Sequence, residues 1–169
     1  NLTWKAFIKS LSDSVRISAM IMFLVAAAAI YGRFLAITGL PSALAEWAVS
    51  LPLPSAAVLV IILIIYLILG CFIDALALIL LTVPIFYPVA LSIGYDPVWF
   101  GVIIVLALGM GVITPPVGAN VYVVAGVDNE TPVMTIFKGA WPYLVAIFGC
   151  IALLTIFPDI ALFLPNIIK

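Results

Sequence analysis

The chain has 169 residues, 67% of them hydrophobic and only 8% charged, with a net charge of -1 and a mean hydropathy of +1.45. Soluble domains average roughly 45–50% apolar and about 25% charged residues, so this composition excludes a soluble globular domain and indicates an integral membrane protein. The near-zero net charge argues against a nucleic-acid footprint, and the absence of His excludes imidazole proton relays and His metal sites.

Asn1–Ser14 is polar and mixed, with Lys5, Lys9 and Asp13 beside Trp4, Phe7 and Ile8. It reads as a surface segment rather than a cleavable signal. The first residue is not Met, so a piece of a larger or processed protein is expected. Arg16 then leads into an apolar run, predicting a first span over Val15–Ile37. The basic residues place its start on the cytoplasmic side, and Arg33 can snorkel at its far end. Gly39-Leu40-Pro41 closes the span, and Pro41–Ser50 is expected as a short interfacial arm helix.

Ser55–Leu69 is nearly pure Leu, Ile and Val, but short of the roughly 20 residues a span needs. Gly70-Cys71-Phe72-Ile73-Asp74 interrupts it, and Ala75–Leu91 resumes with Pro84 and Pro88 inside. Either Ile61–Pro84 is one span holding a mid-membrane Asp, or Ser55–Leu91 is a re-entrant hairpin with Asp74 at its tip. A carboxylate at the bilayer centre costs at least about 2.5–3.5 kcal/mol, which favours the hairpin. Asp74 also suits the N-cap of the helix beginning at Ala75. Cys71 and Cys150 lie in apolar runs and read as small buried hydrophobes.

Ser92–Pro97 is a turn, with Asp96 as a turn residue ahead of Pro97. Val98–Val127 resembles a span, yet Gly109–Asn120 reads GMGVITPPVGAN. Pro115 and Pro116 remove two backbone donors and their rings clash one turn back. Gly109, Gly111 and Gly118 add backbone freedom. The helix should therefore break, with Val98–Leu108 and Val117–Val127 as its halves. Carbonyls freed at membrane depth need protein or water as partners. In a discontinuous helix one half offers carbonyls to a cation and the other offers amides to an anion. Asp128–Thr131 is expected as a polar loop, Val133–Phe157 as the last span with Lys138 in its first turns, and Ala161–Lys169 as an apolar interfacial tail. Trp4, Trp47, Trp99 and Trp141 suit interfacial belts. The organisation is thus 1–50 (surface helix, first span, arm), 51–127 (hairpin 55–91 and broken helix 98–127) and 128–169 (loop, last span, tail).

Three stretches taken together carry a family resemblance: GCFIDALALILLTVPIFYPVA over Gly70–Ala90, GYDPVWFGVI over Gly94–Ile103, and TPPVG over Thr114–Gly118. In order and spacing they resemble the C-terminal repeat of the large membrane subunit of tripartite ATP-independent periplasmic (TRAP) transporters. The resemblance implies an all-α, multi-pass protein of the bacterial inner membrane. It further implies half of an inverted-repeat, elevator-type secondary transporter that takes up small organic acids, such as dicarboxylates or sialic-acid-like carboxylates, on a Na+ gradient. Implied partners are the N-terminal repeat of the same subunit, a small membrane subunit (separate or fused) and a periplasmic substrate-binding protein. This chain holds one hairpin and one broken helix, so alone it is not expected to transport.

On that reading Na+ is the coupling ion and no organic cofactor is needed. Thr114, Pro115, Gly70 and Gly111 are its expected ligands, mostly through backbone carbonyls, since hard cations take oxygen donors. Asp74, Gly118 and Asn120 are expected on the substrate side. Arg33 and Lys138 read as interface anchors. An ion channel would more naturally repeat its pore segment about an axis, and a purely structural subunit leaves the broken helix unexplained. An enzyme is not expected: there is no His, no carboxylate pair within one turn and no Cys beside a base.

Overall fold

The computed structural model describes residues 3–127 and 131–168, and every element in them is helical. The first helix, α1, runs over Trp4–Thr38, with Thr3 as its N-cap accepting from Ala6 N–H at 3.3 Å. The surface segment and first span expected as separate pieces are therefore one helix. The reason is local: no Gly or Pro occurs before Gly32, and polar residues alone do not end a helix. Ser14, mid-helix, donates its hydroxyl to Ser10 C=O at 2.8 Å, the i−4 bond that lets Ser sit inside a helix.

Gly39 turns the chain at φ 69°, and α2 (Leu40–Ser50) begins with Pro in its first turn. α3 (Ser55–Gly70) and α4 (Ala75–Ser92) follow, joined by the turn at 71–74. The alternative of one continuous span over Ile61–Pro84 is thereby overturned. α5 (Pro97–Gly111) stops just before the Pro pair, and α6 (Ala119–Val127) resumes after Gly118. α7 (Val133–Ile156) and α8 (Asp159–Ile168) complete the described chain. The polar loop expected over Asp128–Thr131 lies outside the described residues except for Thr131.

α3 packs along α5, α5 packs on α7 and α8, and α1 and α2 lie on α4. The core is where these meet: Leu59 and Tyr66 of α3, Leu78 of α4, and Trp99, Phe100 and Ile103 of α5 are buried. By contrast α1 buries just Ala28 and Leu35 among its described residues. Its exposed Phe23, Ile30 and Phe34 suit lipid or further protein, not water. By length and composition Trp4–Thr38, Ala75–Ser92 and Val133–Ile156 can each cross a membrane. Cys150, expected to be buried, is only partly so, at the edge of this core.

One long-range bond fixes the frame around the α5 start. Leu154 C=O should receive the N–H four residues on, but that residue is Pro158 and has none. The Trp99 indole N–H donates to it instead, at 2.7 Å. A buried acceptor orphaned by one residue is thus satisfied by another 55 positions away, and the start of α5 is tied to the end of α7.

Candidate functional site: the meeting of two helix ends

The α5–α6 break is built by hydrogen bonds that the prolines redirect. Pro115 cannot serve Gly111 C=O, and Pro116 cannot serve Val112 C=O. Gly111 C=O instead accepts from Thr114 N–H at 3.1 Å, and Val112 C=O accepts from Asn120 N–H at 3.1 Å. The second bond reaches across the break into the first turn of α6. The Thr114 hydroxyl donates to Met110 C=O at 2.6 Å, closing the end of α5. The Pro115–Pro116 bond is cis. Gly118 has φ 55°, and a Cβ there would lie 3.0 Å from Phe137 Cε1 and 3.2 Å from Thr114 O. Left-handed backbone and crowding together require glycine.

The turn between α3 and α4 is built just as locally. Cys71, Phe72 and Ile73 N–H fold back onto carbonyls of Leu67, Ile68 and Leu69. Asp74 Oδ1 accepts from Leu76 N–H at 3.0 Å and Ala77 N–H at 3.3 Å, the N-cap expected from sequence. Asp96 caps α5 in the same way, from Val98 and Trp99 N–H at 2.8 and 3.1 Å.

These two constructions touch. A Cβ on Gly111 would stand 2.9 Å from Gly70 Cα and 3.0 Å from Gly70 C, so the α3 and α5 ends meet backbone to backbone. The Cys71 thiol donates to Leu67 C=O at 3.1 Å and lies 3.7 Å from Pro115 C=O. Of the residues expected to hold a cation, Gly70, Gly111 and Pro115 are therefore gathered at one junction. Thr114 bonds to Gly111 through its N–H, and its hydroxyl proton goes to Met110 C=O while the oxygen keeps both lone pairs. Gly118 closes the far side of the break over Thr114 O. Asp74 and Asn120 are exposed at the tip and at the start of α6. Nothing described brings their side chains to the Gly70–Gly111 contact.

Electrostatics at the junction follow from helix polarity. Both α3 and α5 present C-termini there, and neither has a basic residue in its last turn. Each C-terminus carries the equivalent of roughly half a negative charge, so the contact sets two negative poles side by side. Among the described residues Gly70 C=O accepts none of the hydrogen bonds made outside the helices. No cluster of three His, Cys, Asp or Glu exists among the described residues, so a cation there would be held by neutral oxygens. Sequence reasoning missed Cys71, whose sulfur lies 3.7 Å from Pro115 C=O across the junction, and Phe137, whose ring closes over Gly118. Neither residue type signals such a role, because both contacts bridge segments distant in the chain.

A family model described as "Tripartite ATP-independent periplasmic transporter, DctM component" matches residues 1–160. The chain belongs to this family. DctM relatives include the Vibrio cholerae serotype O1 "Sialic acid TRAP transporter large permease protein SiaM", 38% identical over 166 residues. The Rhodobacter capsulatus "C4-dicarboxylate TRAP transporter large permease protein DctM" is 34% identical over 168. The Oleidesulfovibrio alaskensis "Isethionate TRAP transporter permease protein DctMQ" is 33% identical over 162. These matches cover 98%, 99% and 96% of this chain but 39%, 38% and 25% of the relatives. The chain thus spans about two fifths or less of the length of these DctM-family proteins. Family and apolar helices together make it part of a multi-pass membrane protein.

Proposed function

We propose that this chain is the C-terminal repeat of a Na+-coupled TRAP permease, in which the Gly70–Gly111 junction carries the coupling ion. The observation that supports this most directly is the pairing of two helix C-termini at backbone contact with no basic side chain in either last turn. A monovalent cation relieves that pairing, and loose carbonyl coordination lets it leave again. α3–α4 acts as a re-entrant hairpin and α5–α6 as a discontinuous helix, the two forming half of the mobile body of an elevator. Gly70, Gly111 and Pro115 offer carbonyls, with Thr114 offering carbonyl and hydroxyl oxygens.

The substrate is a small organic acid, the class named for the SiaM, DctM and DctMQ relatives. Gly118 and Asn120 border it, at the positive end of the α6 dipole, which favours its negative charge. Asp74 contributes by holding the tip through its cap, since a bare carboxylate would repel the substrate. The N-terminal repeat of the same subunit, a small membrane subunit and a periplasmic substrate-binding protein complete the system in the bacterial inner membrane.

The full-length subunit with its partners, reconstituted in proteoliposomes, tests this reading. Uptake of labelled sialic acid, C4-dicarboxylate or isethionate should require an inward Na+ gradient and the binding protein. Uptake unchanged when choline replaces Na+ refutes the coupling.

A further inference from the structure

One buried polar contact lies just behind the hairpin tip and has no part in the site as described. Tyr66 is fully buried, and its phenol oxygen lies 2.6 Å from Thr82 Oγ1, which lies 2.6 Å from Leu78 C=O. Thr82 has one hydroxyl hydrogen and a carbonyl can only accept. Thr82 therefore donates to Leu78, and Tyr66 donates to Thr82. The result is a relay, Tyr66 O–H to Thr82 O–H to Leu78 C=O, running from one arm of the hairpin into the other. The Phe86 ring packs against Tyr66, with centroids 5.6 Å apart.

Its position gives it a purpose. Tyr66 is four residues before Gly70, and Leu78 is four after Asp74, so each end of the relay sits one helical turn behind the tip. The tip's backbone and cap hydrogen bonds run only to α3 or to α4. Among the described residues the relay is the sole hydrogen bond recorded between the two arms. Ahead of it, at the tip, Gly70 stands so close to Gly111 that Gly111 has no room for a methyl group. A small change in arm separation thus changes where Gly70 C=O points. A Phe at position 66 would fill the same space without the desolvation cost of a phenol, so packing alone does not account for the hydroxyl.

Resting on the reading of the junction as a Na+ site, we propose that Tyr66 and Thr82 are positioning residues that set the Gly70 carbonyl for the ion. They touch neither Na+ nor substrate. The test uses purified full-length subunit titrated with NaCl against choline chloride at constant ionic strength, reading the rise in Tm. Losing one net hydrogen bond of this kind corresponds to ~3- to 10-fold. Tyr66→Phe and Thr82→Val should each raise the half-saturating Na+ concentration by that factor. The double variant should be no worse than the weaker-binding single, and Thr82→Ser should restore the wild-type value. Trp99→Phe removes an equally buried bond far from the tip. It should lower the Na+-free Tm without moving Na+ half-saturation. Wild-type half-saturation in Tyr66→Phe, additive singles, or an equal shift in Trp99→Phe would overturn the positioning role. A wild-type protein whose Tm ignores Na+ instead refutes the ion site itself.

Discussion

At Gly111 the two nearest obstacles to a methyl group are backbone atoms of Gly70, which no rotamer change can move. Gly111→Ala should therefore be destabilised by ~1–3 kcal/mol, seen as a lower Tm of the full-length subunit. Gly70→Ala, whose Cβ would meet Gly111 Cα at 3.3 Å, should be milder. The reverse order would show that the two helix ends do not meet as described. Gly118→Ala combines left-handed strain of roughly 1–2 kcal/mol with a clash on the Phe137 ring. Adding Phe137→Leu should recover the clash but not the strain, leaving the double variant between Gly118→Ala and wild type. Asp74→Asn keeps an equally good N-cap, so its stability should stay within about 0.5 kcal/mol of wild type. Uptake retained in that variant agrees with a cap, whereas lost uptake at unchanged Tm assigns the charge a direct role. The Asp74 cap was legible from sequence because an N-cap is a local device, whereas Asp96, read as a turn residue, proves to cap α5. The Gly70–Gly111 contact was not: each glycine is visible alone, but their meeting depends on how α3 lies along α5.

Among the elements, those bounded by Pro and Gly were legible, and those without such punctuation were misjudged. The α5 end and α6 start follow from Pro115, Pro116 and Gly118, and the α3–α4 turn from Gly70 and Asp74. The N-terminal segment was misread because its charges suggested a boundary that its backbone does not have. The Trp99–Leu154 tie was illegible for another reason. Pro158 does announce an orphaned carbonyl at Leu154, but nothing in sequence says which donor fills it. This yields a prediction at the level of helix packing. Trp99→Phe leaves Leu154 C=O unpaired and buried, costing ~1–3 kcal/mol. Pro158→Ala in that background supplies an N–H four residues on and should recover part of the loss in chemical denaturation. No recovery would mean that α7 cannot extend past Phe157.

Across the whole molecule, α1 is 35 residues long, ~52 Å at the helical rise, against a hydrocarbon core of about 30 Å. Lys5, Lys9, Asp13 and Arg16 all fall in its first four turns, and the apolar remainder is by length and composition enough to cross a membrane. α2 and the rest of the chain hang from this post through contacts on α4. The Gly70–Gly111 junction lies on the other side of α4, in the body formed by α3, α5 and α7. Its like-signed poles give that body a built-in bias when no cation is near. If the junction holds Na+ as proposed, backbone amides at 71–74 and 112–120 should exchange with deuterium faster in Na+-free medium. On the proposed reading, adding Na+ should quiet both stretches together while choline leaves them restless, so that a single ion would report on two segments forty residues apart along the polymer.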